Sequence, residues 1–203
     1  MLLPVFFAEG LTAFCVLAFE IATARLVAPY AGMSTDTWTA IIAAFLLALA
    51  FGNHCGGRLG TNACSARMLA LAASAMAAGG IMAAITPLMM PAWDALILAP
   101  APSQLWRIIV FVALPCIPVG FLFGIATPLL MTAAITLAGP QRSVVGLVYA
   151  IGAAGSVCGV LITLWLLLDV LGTRATMMTI GALALMGAAL VAATLARRPV
   201  SVR

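Results

Sequence analysis

Two glutamates and one arginine, Glu9, Glu20 and Arg25, lie in an otherwise apolar stretch near the start of the chain. On an α-helix the two glutamates project from one face, about 16 Å apart along the axis, because a separation of eleven positions is close to three turns. Ala13 and Val16 lie between them on that face, and their small side chains leave room for a guest or a neighbouring helix. Arg25 points roughly 140° away from Glu20, so these two do not pair within the helix. Because a carboxylate on such a face can bind a cation or carry a proton, we take Glu9 and Glu20 as candidate ligand-binding residues. Arg25, the third charge of this stretch, is a candidate as well.

Each of these charges also has a structural interpretation, since a polar side chain in an apolar helix can hydrogen-bond to a neighbouring helix. For Glu20, the deepest charge in the stretch, the functional and the structural interpretation are equally supported. For Glu9, nearer the start of the helix, the structural interpretation is favoured. For Arg25 we favour a side chain that extends outward toward Asp36 or Asp169 over one that contacts a ligand.

The composition indicates what kind of protein positions these residues. The chain has 203 residues, of which 66% are hydrophobic and 7% are charged, whereas a soluble domain carries about 25% charged residues. So few polar residues cannot cover a water-facing surface, which excludes an ordinary soluble enzyme, a disordered segment and a disulfide-rich secreted module. The net charge of +4 is spread over isolated arginines, so nucleic-acid binding is not expected either.

The apolar runs predict an all-α fold, a polytopic integral membrane bundle of about six transmembrane helices. A helix needs about 20 apolar residues to cross the hydrocarbon core, and the runs do not alternate as the strands of a barrel do. The predicted spans form a single domain, 1–196, and cover residues 3–28, 37–55, 68–86, 105–137, 143–168 and 175–196. A short basic tail, 197–203, follows them. Two short spans in place of the proline-rich span 105–137 give seven as the alternative count.

The distribution of charge predicts the topology. If the N-terminus lies inside, the inner segments hold no aspartate and six arginines, namely Arg58, Arg67, Arg142, Arg197, Arg198 and Arg203. All three aspartates then lie outside, as the positive-inside rule predicts for a protein with both termini in the cytoplasm. The basic residues are all arginine, which is typical of a GC-rich bacterial genome. We therefore expect a multi-pass protein of the bacterial inner membrane.

Glycines and a proline mark two of the predicted spans. In the fourth, Gly120, Gly124 and Pro128 indicate a hinge or a site lined by broken backbone. In the fifth, small residues recur at helical spacing at Gly152, Gly155 and Gly159. Such faces let helix backbones approach closely in lipid, and we favour packing within one protomer over a homodimer face.

No residue pattern predicts a metal, a cofactor or catalysis. His54, Cys55 and Cys64 cluster around one predicted loop, but they lack the paired CxxC spacing and the fourth ligand of a zinc site. HExxH and GxSxG motifs are also missing. We therefore predict that the chain is not an enzyme and holds no metal or cofactor.

A series of short motifs, in order along most of the chain, resembles the membrane domain of bacterial membrane-bound spermidine synthase-like proteins. The first half contributes Glu9-Gly10, Glu20, Arg25-Leu26, Ala28-Pro29-Tyr30, Gly32, Trp38-Thr39-Ala40, Gly52 and Gly56-Gly57-Arg58-Leu59. The second half contributes Thr127-Pro128-Leu129, Tyr149-Ala150, Gly152, Gly155, Gly159 and Leu171-Gly172-Thr173-Arg174. The resemblance implies a helical domain similar to half of a major-facilitator transporter, here expected without the aminopropyltransferase domain.

Two functional hypotheses follow. The preferred one is a protein that binds or transports a small cationic metabolite, a polyamine being one candidate, with Glu20 and Glu9 as counter-charges. A six-helix half would then need to form a homodimer to build a two-sided pathway through the lipid bilayer. The alternative is a non-catalytic membrane anchor or scaffold for a separately encoded cytoplasmic synthase-like partner.

Overall fold

The computed structural model describes residues 2–61, 63–95, 103–139 and 142–196, and it confirms the predicted all-α fold, with no strand in these ranges. The α-helices are α1 (Leu2–Ala31), α2 (Thr35–Gly60), α3 (Ser65–Trp93), α4 (Gln104–Ala138), α5 (Arg142–Ile162) and α6 (Leu168–Ala196). A π-helical segment, Thr163–Leu167, joins α5 to α6.

Local chemistry explains where two of the helices begin. The Ser34 hydroxyl accepts a hydrogen bond from the Thr37 N–H at 3.2 Å at the start of α2. The Ser103 hydroxyl does the same for the Trp106 N–H at 3.3 Å at the start of α4. Each serine thereby satisfies one of the backbone donors that a helix leaves unpaired at its N-terminus.

Two helices of the bundle continue through internal prolines. α3 continues through Pro87 and Pro91 to Trp93, past the predicted end of its span at residue 86. α4 contains three prolines and continues from Gln104 to Ala138. In bundles of apolar helices, neighbouring helices and small local adjustments compensate for the missing backbone donors, so proline is tolerated inside a helix.

Five helices are long and apolar enough to cross a membrane, which supports a multi-pass membrane protein. The last of them, Val144–Ala196, has 53 residues, and a straight helix of that length would measure about 80 Å, far beyond one crossing of about 30 Å. Within it, Gly172 is non-helical, with φ 73° and ψ 172°. The count of six spans and the position of the termini stay predictions.

α5 runs in the same direction as α1. Gly155 lies directly against the carbonyl group of Gly10. One turn further along both helices, a Cβ at Gly159 would lie 2.5 Å from the carbonyl oxygen of Phe14. Real Cβ atoms do not approach an oxygen so closely, so only glycine lets these two backbones touch.

α6 runs in the opposite direction along the same helix. Leu11 contacts Gly187, whereas Cys15, one turn later on α1, donates its S–H to the Ile180 carbonyl oxygen at 3.7 Å. Residue numbers therefore rise on α1 as they fall on α6. The chain reverses direction between α5 and α6, and Gly172 is the non-helical residue between these two sets of contacts.

α2 packs on α4 in the way that α5 packs on α1. Gly52 lies against the carbonyl group of Phe121, and a Cβ at Gly56 would lie 2.5 Å from the carbonyl oxygen of Ile125. Residue numbers again rise together on both helices. The parallel, glycine-mediated contact between α1 and α5 is thus repeated between α4 and α2.

The remaining contacts complete an inverted repeat of two three-helix units, α1–α3 and α4–α6. Gly80 of α3 and Gly181 of α6 meet reciprocally, each facing the backbone carbonyl of the other. Tyr30, at the end of α1, stacks on Phe111, near the start of α4, with ring centroids 4.9 Å apart, so these corresponding helices run in opposite directions. Inverted repeats of membrane proteins commonly place a binding site where the two units meet.

Candidate functional site

Glu9 is a buried carboxyl group without a hydrogen-bond partner among the described residues. Its side chain is only 5% exposed, and its Oε2 atom has no hydrogen-bond partner among the described residues. The other buried polar side chains of α1 are satisfied locally, because Thr12 and Thr23 donate to the carbonyl oxygens of Ala8 and Phe19 at 2.7 and 2.8 Å. A buried polar atom without a hydrogen-bond partner costs free energy, so the Glu9 carboxyl group marks a candidate site for a ligand that would supply this partner.

A cavity of about 520 Å³ opens beside Glu9, between α1, α2, α4 and α5. This volume lies within the range of about 300–1,000 Å³ that is typical of small-molecule sites. The polar residues that line the cavity are Glu9, Asn53, Thr127, Tyr149 and Ser156. The two units of the inverted repeat therefore contribute to one cavity, α1 and α2 from the first and α4 and α5 from the second.

The four neutral polar side chains of the cavity make no hydrogen bonds within the described part of the chain. Thr127 shows the difference best, because Thr132 and Thr136 on the same helix donate to carbonyl oxygens four residues earlier, at 2.7 and 2.8 Å. The hydroxyl of Thr127 makes no such bond. The donors and acceptors around the cavity are thus available to a ligand.

Helical spacing positions the wall that α1 contributes. Glu9, Ala13 and Val16 lie four and three residues apart, so they share one face, and all three line the cavity. The sequence had placed these residues on a common face with room for a guest. Opposite Glu9, a Cβ at Gly152 would lie 3.7 Å from its Oε1 atom, so this small residue keeps space beside the carboxyl group.

The same spacing positions the walls from α5 and α2. On α5, Tyr149, Gly152 and Ser156 lie three and four residues apart and all face the cavity. On α2, Leu49 and Asn53 lie one turn apart. The sequence analysis did not select Asn53, Thr127, Tyr149 or Ser156 as site residues. The sequence pattern that could have identified them is a polar side chain one or two turns from a small residue in an otherwise apolar span.

The structure separates Glu20 from Glu9. Glu20 is half-buried, does not line the cavity and lies near the buried Cys116 of α4. The two glutamates therefore do not line a common cavity, although they lie on the same helix. Sequence spacing could not show which glutamate borders a cavity, because this depends on how α4 and α5 pack against α1.

Arg25 is exposed and lies outside the cavity. Within the described ranges, one ion pair is closer than 4.0 Å, between Arg107 Nη2 and Asp94 Oδ1 at 3.6 Å. Arg25 thus makes no ion pair with Asp36 or Asp169, the partners suggested by the sequence. A ligand contact at Arg25 stays a prediction.

The glycines of the fourth and fifth predicted spans lie mainly in helix contacts. A Cβ at Gly120 would lie 3.0 Å from the Cβ of Ala48, and one at Gly124 would lie 2.8 Å from the Leu49 carbonyl oxygen. Both residues pack against α2, whereas Pro128 lines the cavity. Gly155 and Gly159 pack against α1 within the protomer, and Gly152 faces the cavity. A hinge in α4 stays a prediction.

The cysteine and histidine cluster of the sequence is not assembled into a metal centre in the described residues. No three His, Cys, Asp or Glu side chains gather there in an arrangement that could hold a metal ion. His54 is exposed, and its Nε2 atom lies 3.4 Å from Nη1 of Arg58, one turn later on α2. Neither side chain lines the cavity.

Comparisons of the chain with family models, with curated proteins and with solved structures gave no match. The cavity and its single buried carboxyl group are therefore the basis for a functional assignment.

Proposed function

We propose that this chain is an integral membrane protein that binds a small cationic metabolite in the cavity, with Glu9 as the counter-charge. The observation that carries the proposal is the Glu9 carboxyl group, buried at the cavity wall without a hydrogen-bond partner among the described residues. The sequence alone favoured Glu20 for this function. The position of the cavity supports Glu9 instead.

The physical argument rests on the cost of burying a charge. An ionised carboxylate away from water is strongly destabilised unless a proton or a cation compensates its charge. The cavity beside Glu9 provides room for such a cation, and four neutral polar side chains offer further hydrogen bonds. Ionisable residues inside membrane helices commonly mark substrate or ion pathways for this reason.

We further propose that the chain crosses the bacterial inner membrane six times, with both termini in the cytoplasm. The opposite directions of α5 and α6 along α1 support two crossings within the longest helical segment. The charge pattern of the sequence supports the orientation, since the predicted inner segments hold arginine and no aspartate. In this arrangement the cavity lies in the cytoplasmic half of the bundle, because Glu9 belongs to the first third of α1.

We extend the proposal from binding of the cation to its transport across the membrane. The resemblance to the membrane domain of spermidine synthase-like proteins, and through it to half of a facilitator, supports a homodimer that builds a two-sided pathway. Access to the site would then alternate by movement of one half against the other.

Ligand-dependent thermal stability of the detergent-purified protein tests the binding proposal. The panel contains monoamines, polyamines, amino acids and simple inorganic cations. A cation that binds only the folded protein, at a hundredfold excess over its Kd, should raise the free energy of unfolding by about 2.7 kcal/mol. Glu9→Gln should abolish this gain, because the amide keeps the size of the side chain but cannot carry a negative charge.

Glu20→Gln is the matched control, since it makes the same chemical change on the same helix outside the cavity. If no cation in the panel stabilises the protein, the proposal is wrong, and a scaffold for a cytoplasmic synthase-like partner becomes the better hypothesis. If a cation stabilises Glu9→Gln and the unmodified protein equally, the cavity is not its site.

A further inference from the structure

The cavity that we propose as the cation site carries a single formal charge. Among the described residues that line it, Glu9 is the acidic residue, and none is Arg, Lys or His. The other polar groups are one amide, two aliphatic hydroxyls and one phenol, all neutral. The second carboxyl group of α1, that of Glu20, lies outside the lining.

This charge inventory limits the ligands that fit. One carboxylate compensates one ammonium group. A second ammonium group on the same ligand would find hydrogen-bond acceptors among the neutral polar side chains, but no second carboxylate to compensate its charge. A ligand carboxylate would be equally unfavourable, because no basic side chain faces the cavity. Charge matching therefore favours a ligand with one positive charge over polyamines and zwitterionic amino acids.

The rest of the lining indicates the chemistry of the ligand body. Most of the wall is apolar, with Ala13, Val16, Leu49, Met131 and Val148 around the polar groups. Such a surface favours a ligand with a hydrocarbon body over an inorganic cation, because a cation that loses its water needs several oxygen ligands.

The geometry points to an organic monocation, one ammonium group on an apolar body, as the ligand of this cavity. The inference rests on the proposed function and narrows it, because it replaces the polyamine that the sequence suggested. Charge selectivity is set by the number of carboxylates at the cavity and not by its volume.

Four probes with the same five-carbon chain test the inference by isothermal titration calorimetry on the detergent-purified protein. They are n-pentylamine with one positive charge, 1,5-diaminopentane with two, 5-aminopentanoate as a zwitterion and 1-pentanol without charge. We expect n-pentylamine to bind at least tenfold more tightly than each of the other three. In Glu9→Gln, n-pentylamine should bind no more tightly than 1-pentanol. Titration of this variant also measures how much each probe partitions into the detergent.

Asn53→Asp provides a gain-of-function control. This near-isosteric change adds a second carboxylate to the cavity wall at an exposed position of α2, so the diamine should now bind at least as tightly as the monoamine. A circular-dichroism melting curve checks that this variant folds.

The outcomes separate this inference from the proposed function. Tighter binding of 1,5-diaminopentane than of n-pentylamine to the unmodified protein, lost in Glu9→Gln, would overturn the monocation inference while the cation site stands. Binding of none of the probes above the Glu9→Gln background would overturn the cation site, and the inference with it.

Discussion

Gly152 and Gly155 lie one turn apart on α5, yet their surroundings differ completely. A Cβ at Gly155 would collide with the Gly10 carbonyl group, whereas one at Gly152 would lie 3.7 Å from Glu9 Oε1, an ordinary contact at the edge of the cavity. The first glycine lets two helix backbones touch. The second keeps a volume open beside a carboxyl group.

This difference shows that a pattern of small residues in a membrane helix has two meanings. Small side chains allow close helix packing when a backbone lies opposite, and they leave a cavity when the opposite side chains do not fill the space. The two glutamates of α1 show the same contrast, because Glu9 borders the cavity and Glu20 does not.

The largest effect is expected from Gly155→Ala. The added methyl group must push α5 away from α1, and overpacking of this kind costs up to about 3 kcal/mol in the free energy of unfolding. Unfolding by sodium dodecyl sulfate in mixed micelles measures it. The matched control is Gly152→Ala, which should change the free energy by less than about 0.5 kcal/mol. Equal destabilisation by both substitutions would remove the distinction between packing and cavity.

The next largest effect concerns ligand binding. Gly152→Leu should fill the cavity next to Glu9 and remove the stabilisation by a bound amine, about 2.7 kcal/mol at a hundredfold excess over Kd. Melting curves with and without n-pentylamine measure the loss. Gly146→Leu on the same helix is the control, because Gly146 faces open space and does not line the cavity. Retained stabilisation in Gly152→Leu would place the amine elsewhere.

A smaller effect should follow from Gly172→Ala, which separates backbone conformation from packing. No atom lies within 4 Å of a Cβ at this position, but φ is +73°, a region that costs a residue with a side chain about 1–3 kcal/mol. We expect a loss near the lower end of that range in the detergent unfolding assay. Gly146→Ala, in a regular helix with open space, should instead be neutral or slightly stabilising. A neutral Gly172→Ala would contradict the positive φ at this residue.

The smallest effect is expected from Glu20→Gln. Since Glu20 is half-buried and outside the cavity, its neutralisation should change the free energy of unfolding by at most about 0.5 kcal/mol and leave stabilisation by n-pentylamine unchanged. The same melting curves measure both quantities. Loss of the amine effect in this variant would return the site to Glu20 and reverse the contrast between the two acids.

Part of the site could be predicted from the sequence. The common face of Glu9, Ala13 and Val16 follows from helical geometry, and these three residues do line the cavity. Helical geometry alone could not distinguish Glu9 from Glu20, because both lie on that face, and the sequence favoured Glu20. It depends on Gly152 of α5, which leaves space opposite Glu9, and on α4, which lies next to Glu20.

Other expectations had a similar limit. The glycines Gly120 and Gly124 suggested a hinge, which stays a prediction, and the structure adds that both of them pack against α2. Pro87 suggested the end of a span, yet α3 continues beyond it. In both cases the local pattern is real, and its consequence depends on a neighbouring helix.

The sequence by itself determined that the chain is helical and apolar enough for a membrane, because these properties depend on composition and on the length of apolar runs. It also determined which residues share a face of one helix, because helical periodicity is local. Only the tertiary structure decided which face meets a cavity and which meets another backbone. Contacts between α1 and α5, or between α2 and α4, join residues more than fifty positions apart, and no local pattern specifies which side chain lies across that distance.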